Sequence, residues 1–237
     1  MRELIASGLE TLGLAGSVPA DAPDKLARYG ELLLQQNQVM NLTAITDPKD
    51  VATLHMLDCA PLLDCGRLQG KALIDVGTGA GVPGMVLKIL CPTLELTLLD
   101  SLQKRLDWLD GVAAELGLTG VRTIHGRAEE AGLDPALREQ FDFASARAVA
   151  DLRVLSELCL PFVKVGGRFL SMKSTECGPE LEAASHAIAA LGGELLGCHD
   201  YAIPHIDVTH RVAVIGKKGP TPARYPRRWA KIQKTPL

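Results

Sequence analysis

The sequence predicts an α/β fold: a mostly parallel sheet with helices on both faces, an antiparallel last strand, and a helical region ahead of it. Three observations carry that expectation. After Gly70, short apolar runs alternate with amphipathic stretches, the strand-helix-strand pattern that a parallel sheet demands. The last two apolar runs, near 194–202 and 209–215, are joined only by 203–208, too short for a crossover helix, so the final strand enters antiparallel. With 237 residues, 47% of them hydrophobic and 22% charged, the chain can bury a large core, which excludes disorder and fibrous repeats.

The elements follow in order. Residues 1–70 read as a helical N-terminal region. In it, Asp24 is placed to cap a helix carrying Leu26, Tyr29, Leu33 and Met40 at three-to-four spacing, and Asp47-Pro48 combines an N-cap with an N1 proline for a short helix through Leu57. Residues 71–216 hold the alternating series. Strands are expected at 72–75, 94–99, 121–124, 141–144 and 167–172, with helices at 82–90, 102–116, 151–161 and 179–191 and the closing strand pair after them. Residues 217–237 form a basic tail: Lys217, Lys218, Arg224, Arg227, Arg228, Lys231 and Lys234 stand there without an Asp or Glu, in a chain whose net charge is −3. Interleaved with Tyr225 and Trp229, these cations suit phosphates and bases as well as they suit a plain solvated terminus. A phosphate-binding tail, if deleted, would flatten the salt dependence of nucleic-acid affinity and leave binding elsewhere on the chain intact.

No apolar run reaches the roughly 18 residues of a membrane span, and Glu3 and Glu10 interrupt any secretory leader. The six cysteines form no CxxC pair, and the histidines fall in no ligand spacing. The expectations are a cytoplasmic protein with reduced thiols, no bound metal, and a monomeric state.

The chemistry lies in Asp75-Val-Gly77-Thr-Gly79-Ala-Gly81-Val-Pro-Gly84, which ends the first strand and opens a helix. Glycines allow a tight turn and close backbone approach, and the helix start supplies free N–H groups. Asp100 ends the second strand, 19 residues past Gly81, where a carboxylate can accept from ribose hydroxyls. Two cofactors fit. Read from Gly79 the segment is a literal GxGxxG and suggests NAD and a dehydrogenase; read from Asp75 it is the acidic turn of S-adenosylmethionine enzymes. Pro83 in the first helical turn, the reversed final strand, and Gly126-Arg-Ala-Glu129-Glu130 after strand three favour the second: a Rossmann-like methyltransferase sheet.

Further along, Asn41-Leu-Thr, His55 with Asp58, the glycine turn, Leu99-Asp-Ser-Leu-Gln-Lys-Arg105, Ala128-Glu129, Ser145-Ala-Arg147-Ala, Met172-Lys173 and His210-Arg211 resemble, in order and spacing, the RsmG or glucose-inhibited division protein B family. Tyr225-Pro-Arg-Arg228 and Lys234-Thr-Pro-Leu237 extend the likeness over nearly the whole chain. The resemblance implies a 16S rRNA guanine-N7 methyltransferase using S-adenosylmethionine. Its substrate would be a guanosine in the decoding-region loop, position 527 in the usual bacterial numbering, in free rRNA or a small-subunit assembly intermediate. It further implies cofactor contacts from Gly77, Gly79, Val82, Ala128, Glu129 and Arg147, with Asp100 as ribose ligand. Gln35-Gln36, Lys173-Ser174 and Trp229-Ala230 depart from the family pattern.

Arg147 and Lys173 end strands four and five at the carboxyl edge, where open α/β sheets bind ligands, and are expected to orient and neutralise without moving protons. A bridge from Arg147 to Asp75 or Glu129, and a plain surface lysine, are the structural alternatives. His55 and Asp58 share a helical face and would place RNA or buttress the junction to the sheet; Asn41 would contact RNA or cap the turn to Thr43. Arg211, Arg227 and Arg228 complete the expected substrate contacts. Strand four is followed by no Asp/Asn-Pro-Pro-aromatic element and no Pro-Cys step occurs, which argues against amino-group and cytosine-C5 methylation. A small-molecule methyltransferase, or an RNA-binding protein with a vestigial cofactor fold, would be the alternatives to an rRNA enzyme.

Overall fold

A computed structural model of the chain describes residues 1–147 and 150–237. Among the described residues seven strands form one sheet: β1 (Ala72–Val76), β2 (Glu95–Asp100), β3 (Val121–His125), β4 (Phe141–Arg147), β5 (Val163–Ser174), β6 (Gly193–Ala202) and β7 (Thr209–Lys217). Their order is β3-β2-β1-β4-β5-β7-β6. The first five pair in parallel, and β7 lies antiparallel between β5 and β6, as the short 203–208 connection requires. Chain order reverses between β1 and β4, so the carboxyl ends of β1, β2 and β4 open onto one crevice.

Alternate residues feed two cores, because successive strand side chains point to opposite faces. Leu73, Leu98, Leu170 and Val212 face one cluster; their neighbours Ile74, Leu99, Phe169 and Ala213 face the other. The first core is shared with the N-terminal helices α1 (Arg2–Thr11) and α2 (Ala22–Met40), through Ile5, Leu26 and Leu33, and with the segment after them through Met56 and Leu57. This region is therefore packed onto the sheet rather than tethered to it. The helix α3 (Pro48–Asp50) starts where expected, with the Asp47 side chain accepting from the Lys49 and Asp50 N–H groups, and continues as a π-helical turn over Val51–Leu57. Asp24 does not cap α2. The helix begins at Ala22 because Pro23 fits its first turn, and Asp24 instead accepts from Arg2 Nε at 2.7 Å.

The helices α4 (Gly84–Leu90), α5 (Gln103–Glu115), α6 (Ala128–Ala131), α7 (Leu152–Cys159) and α8 (Gly178–Ala190) cover the sheet. The C-terminal residues correct the picture of a basic arm. They fold onto the second core as a strap ending in α9 (Trp229–Lys234), with Tyr225 and Ile232 buried. Arg138 fastens the strap by donating to the Thr221, Pro222 and Tyr225 carbonyls. Five of the six cysteines are buried and all are unbridged. Among the described residues no helix is long and apolar enough to cross a membrane.

Candidate functional site

The glycine turn takes its shape from both sides. Gly77, Gly79 and Gly81 adopt positive φ of 67°, 57° and 83°, a region open to glycine without strain. A Cβ on Gly81 would meet Leu109 at 2.5 Å and the Tyr29 hydroxyl at 2.6 Å. Tyr29 itself comes from α2, is fully buried, and donates to the Ala80 carbonyl, so the N-terminal region holds the loop directly. Beneath the loop, Asp75 accepts from Thr78 Oγ1 at 2.6 Å, Ser145 Oγ at 2.8 Å and Gly84 N at 3.2 Å. Burial still pushes its carboxyl above the ordinary range, with those hydrogen bonds and Arg147 opposing. Its work is to tie β1, the loop, α4 and β4 together.

Asp100 sits where the sequence puts it, at the end of β2. Its Oδ2 accepts from Gly79 N at 2.9 Å and its Oδ1 from Leu102 N at 2.9 Å, with Arg105 Nη1 at 3.4 Å, so the carboxylate is rigidly aimed. Two hollows meet at this carboxylate. The larger, about 920 Å³, is lined by Thr43, His55, Asp58, Val82, Arg147, Lys173 and His210; the smaller, about 120 Å³, by Gly126, Arg127, Ala128, Glu129, Leu158 and Trp229. Gly77, Asp100 and Ser101 line both, making one elongated groove along the strand ends. The groove fits a molecule with a polar amino-acid end, a ribose in the middle and a base at the far end.

At the wide end Arg147 organises a network. It bridges to neither Asp75 nor Glu129. Its Nη1 donates to the Leu54 carbonyl at 2.7 Å and approaches Asp58 Oδ2 at 3.4 Å, and its Nη2 donates to His55 Nδ1 at 2.6 Å. Because a guanidinium only donates, His55 Nδ1 is unprotonated and Nε2 carries the hydrogen, which it gives to Thr43 Oγ1 at 2.9 Å. Burial, then the Arg147 charge, lowers the His55 pKa to about 4, so the ring is neutral and both nitrogens are occupied. Asp58 Oδ1 accepts from Tyr201 Oη at 2.9 Å and His210 Nδ1 at 2.8 Å. That bond to Asp58 raises the His210 pKa above the usual 6.5. Lys173 faces the same cleft with its ammonium 2.6 Å from Glu180 Oε1, so its charge is largely offset.

Other expected contacts are placed differently. Asn41 is an exposed left-handed C-cap of α2, at φ 49°; the turn to Thr43 is held by Asn37, whose side chain bonds both the N–H and the carbonyl of Thr43 at 2.9 Å. Arg211 forms a two-pronged pair with Asp200 on the neighbouring strand, at 2.5 and 2.7 Å, and lies outside the groove lining. Arg227 is a correction. It grips the fully buried Glu157 with Nη2 at 2.6 Å, Nε at 2.8 Å and its backbone N–H at 2.8 Å, which makes it a fastener of the strap rather than a surface contact for substrate. Arg228 stays exposed. Tyr29, Thr43 and Tyr201 were not legible as site residues, since each reads in sequence as an ordinary core or turn residue; Trp229, expected as an aromatic of the basic tail facing RNA bases, lines the small pocket instead.

Comparison with known proteins gives this geometry its family. The family model for rRNA small subunit methyltransferase G matches residues 23–206. A protein named ribosomal RNA small subunit methyltransferase G from Alkaliphilus metalliredigens is 43% identical over 99% of this chain and 98% of its own length. One of the same name from Alkaliphilus oremlandii is 44% identical over 100% and 99%. Among solved structures, a mutant of MtNAS in complex with S-adenosylmethionine shares the fold with a TM-score of 0.55 at 16% identity, covering 92% of this chain and 88% of that one. With its glycine turn, aimed Asp100 and antiparallel seventh strand, the chain belongs to the rRNA small subunit methyltransferase G family, whose members are S-adenosylmethionine-dependent enzymes.

Proposed function

We propose that the protein transfers a methyl group from S-adenosylmethionine to N7 of a guanosine in the decoding-region loop of 16S rRNA, at position 527, and that it does so without a general base. The single observation that carries this reading is the continuous groove, open to a wide polar cleft at one end and narrowing past Asp100 at the other. Bound there, the cofactor supplies an electrophilic methyl group on a sulfonium. Gly77, Gly79 and Val82 would flank its amino-acid end, Asp100 would accept from the ribose, and Ala128 and Glu129 would meet the base.

The wide end suits a target that is already nucleophilic. N7 has an in-plane lone pair and no proton to remove. His55 has both nitrogens engaged, Asp58 is held by Tyr201, His210 and Arg147, and Lys173 is paired with Glu180. Thr43 Oγ1 accepts from His55 and from Ile45 N at 3.0 Å, which leaves its own hydrogen to give away. Turned into the cleft, that donor and the remaining Arg147 N–H groups suit guanine O6, leaving the N7 lone pair toward the methyl group. Holding nucleophile, methyl carbon and sulfur in line is a positioning effect worth about 7 to 11 kcal/mol. A loop guanosine also needs less unstacking than one in a duplex.

The test is transfer of labelled methyl from S-adenosylmethionine to unmethylated small-subunit rRNA, free and as assembled particles, followed by nucleoside analysis. The reading expects 7-methylguanosine at a single site. Labelling of small molecules but not rRNA, or any other product nucleoside, overturns it.

A further inference from the structure

The narrow end of the groove is walled by a residue from the far end of the chain. Trp229, the first residue of α9, lines the small pocket opposite Val76, Leu99 and the Gly126–Glu129 turn. Its ring also supports the guanidinium of Arg127, 5.2 Å from the ring centroid, and Arg127 Nε in turn donates to Glu129 Oε1 at 2.5 Å. Trp229 is thus in contact with the pocket and, through Arg127, with the orientation of the nearly buried Glu129 carboxylate.

The position is enforced from several directions. Two residues earlier, Arg227 is locked onto Glu157, which has no exposed surface; Tyr225 is buried just before it, and Ile232 is buried on the next turn of α9. Pro226 fits against Gly132, where an added Cβ would lie 3.1 Å from its ring, so the strap sits close on the segment after α6. An aromatic side chain held this firmly over a pocket of about 120 Å³, with a carboxylate and backbone polar groups opposite, suits a flat heterocycle that stacks on one side and hydrogen-bonds along an edge.

We infer that Trp229 is a positioning residue for the adenine of the cofactor, delivered by the C-terminal strap. The inference rests on the placement of the cofactor in the groove proposed above. Because the strap also carries exposed cations, cofactor affinity and the C-terminal segment are physically joined, and removing residues 217–237 costs adenine binding as well as charge.

The test uses the full chain with Trp108→Phe, which leaves Trp229 as the only tryptophan of the two. S-adenosylhomocysteine, methylthioadenosine and adenosine are each titrated by calorimetry and by tryptophan fluorescence. The expected result is quenching by all three ligands, and in Trp229→Ala a loss of affinity of about tenfold or more that is equal for the three, the scale of one base–aromatic contact. Trp229→Phe keeps both the packing of α9 and most of the affinity. Asp100→Ala is the companion that reports on the groove itself. Unaltered adenosine affinity in Trp229→Ala beside weakened affinity in Asp100→Ala overturns the inference and leaves the groove standing; unaltered affinity in both overturns the two together.

Discussion

Single side chains in the cleft make separable demands. Asp100 is aimed by two backbone N–H groups, so Asp100→Ala removes a preorganised acceptor and is expected to weaken S-adenosylhomocysteine by about 1.5 to 3 kcal/mol, read by calorimetry, with the circular-dichroism spectrum unchanged. Of the two cleft histidines, His210 is the one whose pKa is raised above the usual 6.5, through its bond to Asp58. A pH dependence of RNA binding above pH 6.5 is therefore expected to report its loss of charge. For N7 attack, His210→Gln is expected to raise KM for RNA and remove the pH dependence of KM, while the single-turnover rate at saturating RNA stays flat with pH in both proteins. A rising single-turnover rate that disappears in His210→Gln would instead make the Asp58–His210 pair a proton acceptor and exclude N7.

His55 and His210 bear on folding stability with opposite signs. The folded His55 pKa is lowered to about 4, so between pH 6.5 and 4 the unfolded chain binds a proton the folded one refuses. Stability then falls as pH drops through that window, by about 3 kcal/mol at the limit. His210 is raised, so its contribution is complete below 6.5 and is lost as pH rises through its folded value. Urea midpoints measured against pH are expected to lose their acid slope in His55→Gln and their alkaline slope in His210→Gln.

At the level of elements, the strap after β7 is the part whose role changed most between sequence and structure. Charge counting treats seven cations alike. Burial divides them: Lys217 is inside, bonded to the Leu160 carbonyl at 2.7 Å, Arg227 holds Glu157, and Lys218 pairs with Glu194, while Arg224, Arg228, Lys231 and Lys234 are exposed without an acidic partner among the described residues. Arg227→Ala strands a buried carboxylate and is expected to cost about 3 to 5 kcal/mol in urea unfolding, much of it regained when Glu157→Leu is added. The secondary-structure series was legible because strand and helix periods differ and each turn carries its own chemistry. Partners distant in sequence were not: nothing local couples Tyr29 to Ala80, 51 residues on, or Arg227 to Glu157, 70 residues back. The cofactor turn, by contrast, is contiguous, and its glycines announce their backbone geometry in the sequence itself.

For the molecule as a whole, electrostatics and packing occupy different surfaces of the same strap. The exposed cations can be removed without touching Arg227 or Trp229. Replacing Arg228, Lys231 and Lys234 by Gln is expected to lower the slope of log affinity against log salt for a single-stranded 16S fragment by up to about 2, at roughly 0.7 per phosphate contact, with S-adenosylhomocysteine affinity unchanged. An unchanged slope would place the RNA on another face.

The insertion of β7 between β5 and β6 has a consequence for the chain as it is made. Synthesis is vectorial, yet the strand that seals β5 is the last of the seven to leave the ribosome. Until residues 209–217 have emerged, β5 presents an open ladder to solvent and β6 has no place to dock, since among the described residues its sheet neighbour is β7. The two strands can first zip into a hairpin through 203–208 and then add to β5 as a unit. A stalled nascent chain stopping at residue 208 is thus expected to pellet with, or be held by, edge-binding chaperones, whereas one extended past residue 217 by an unstructured linker is released as a protease-resistant sheet.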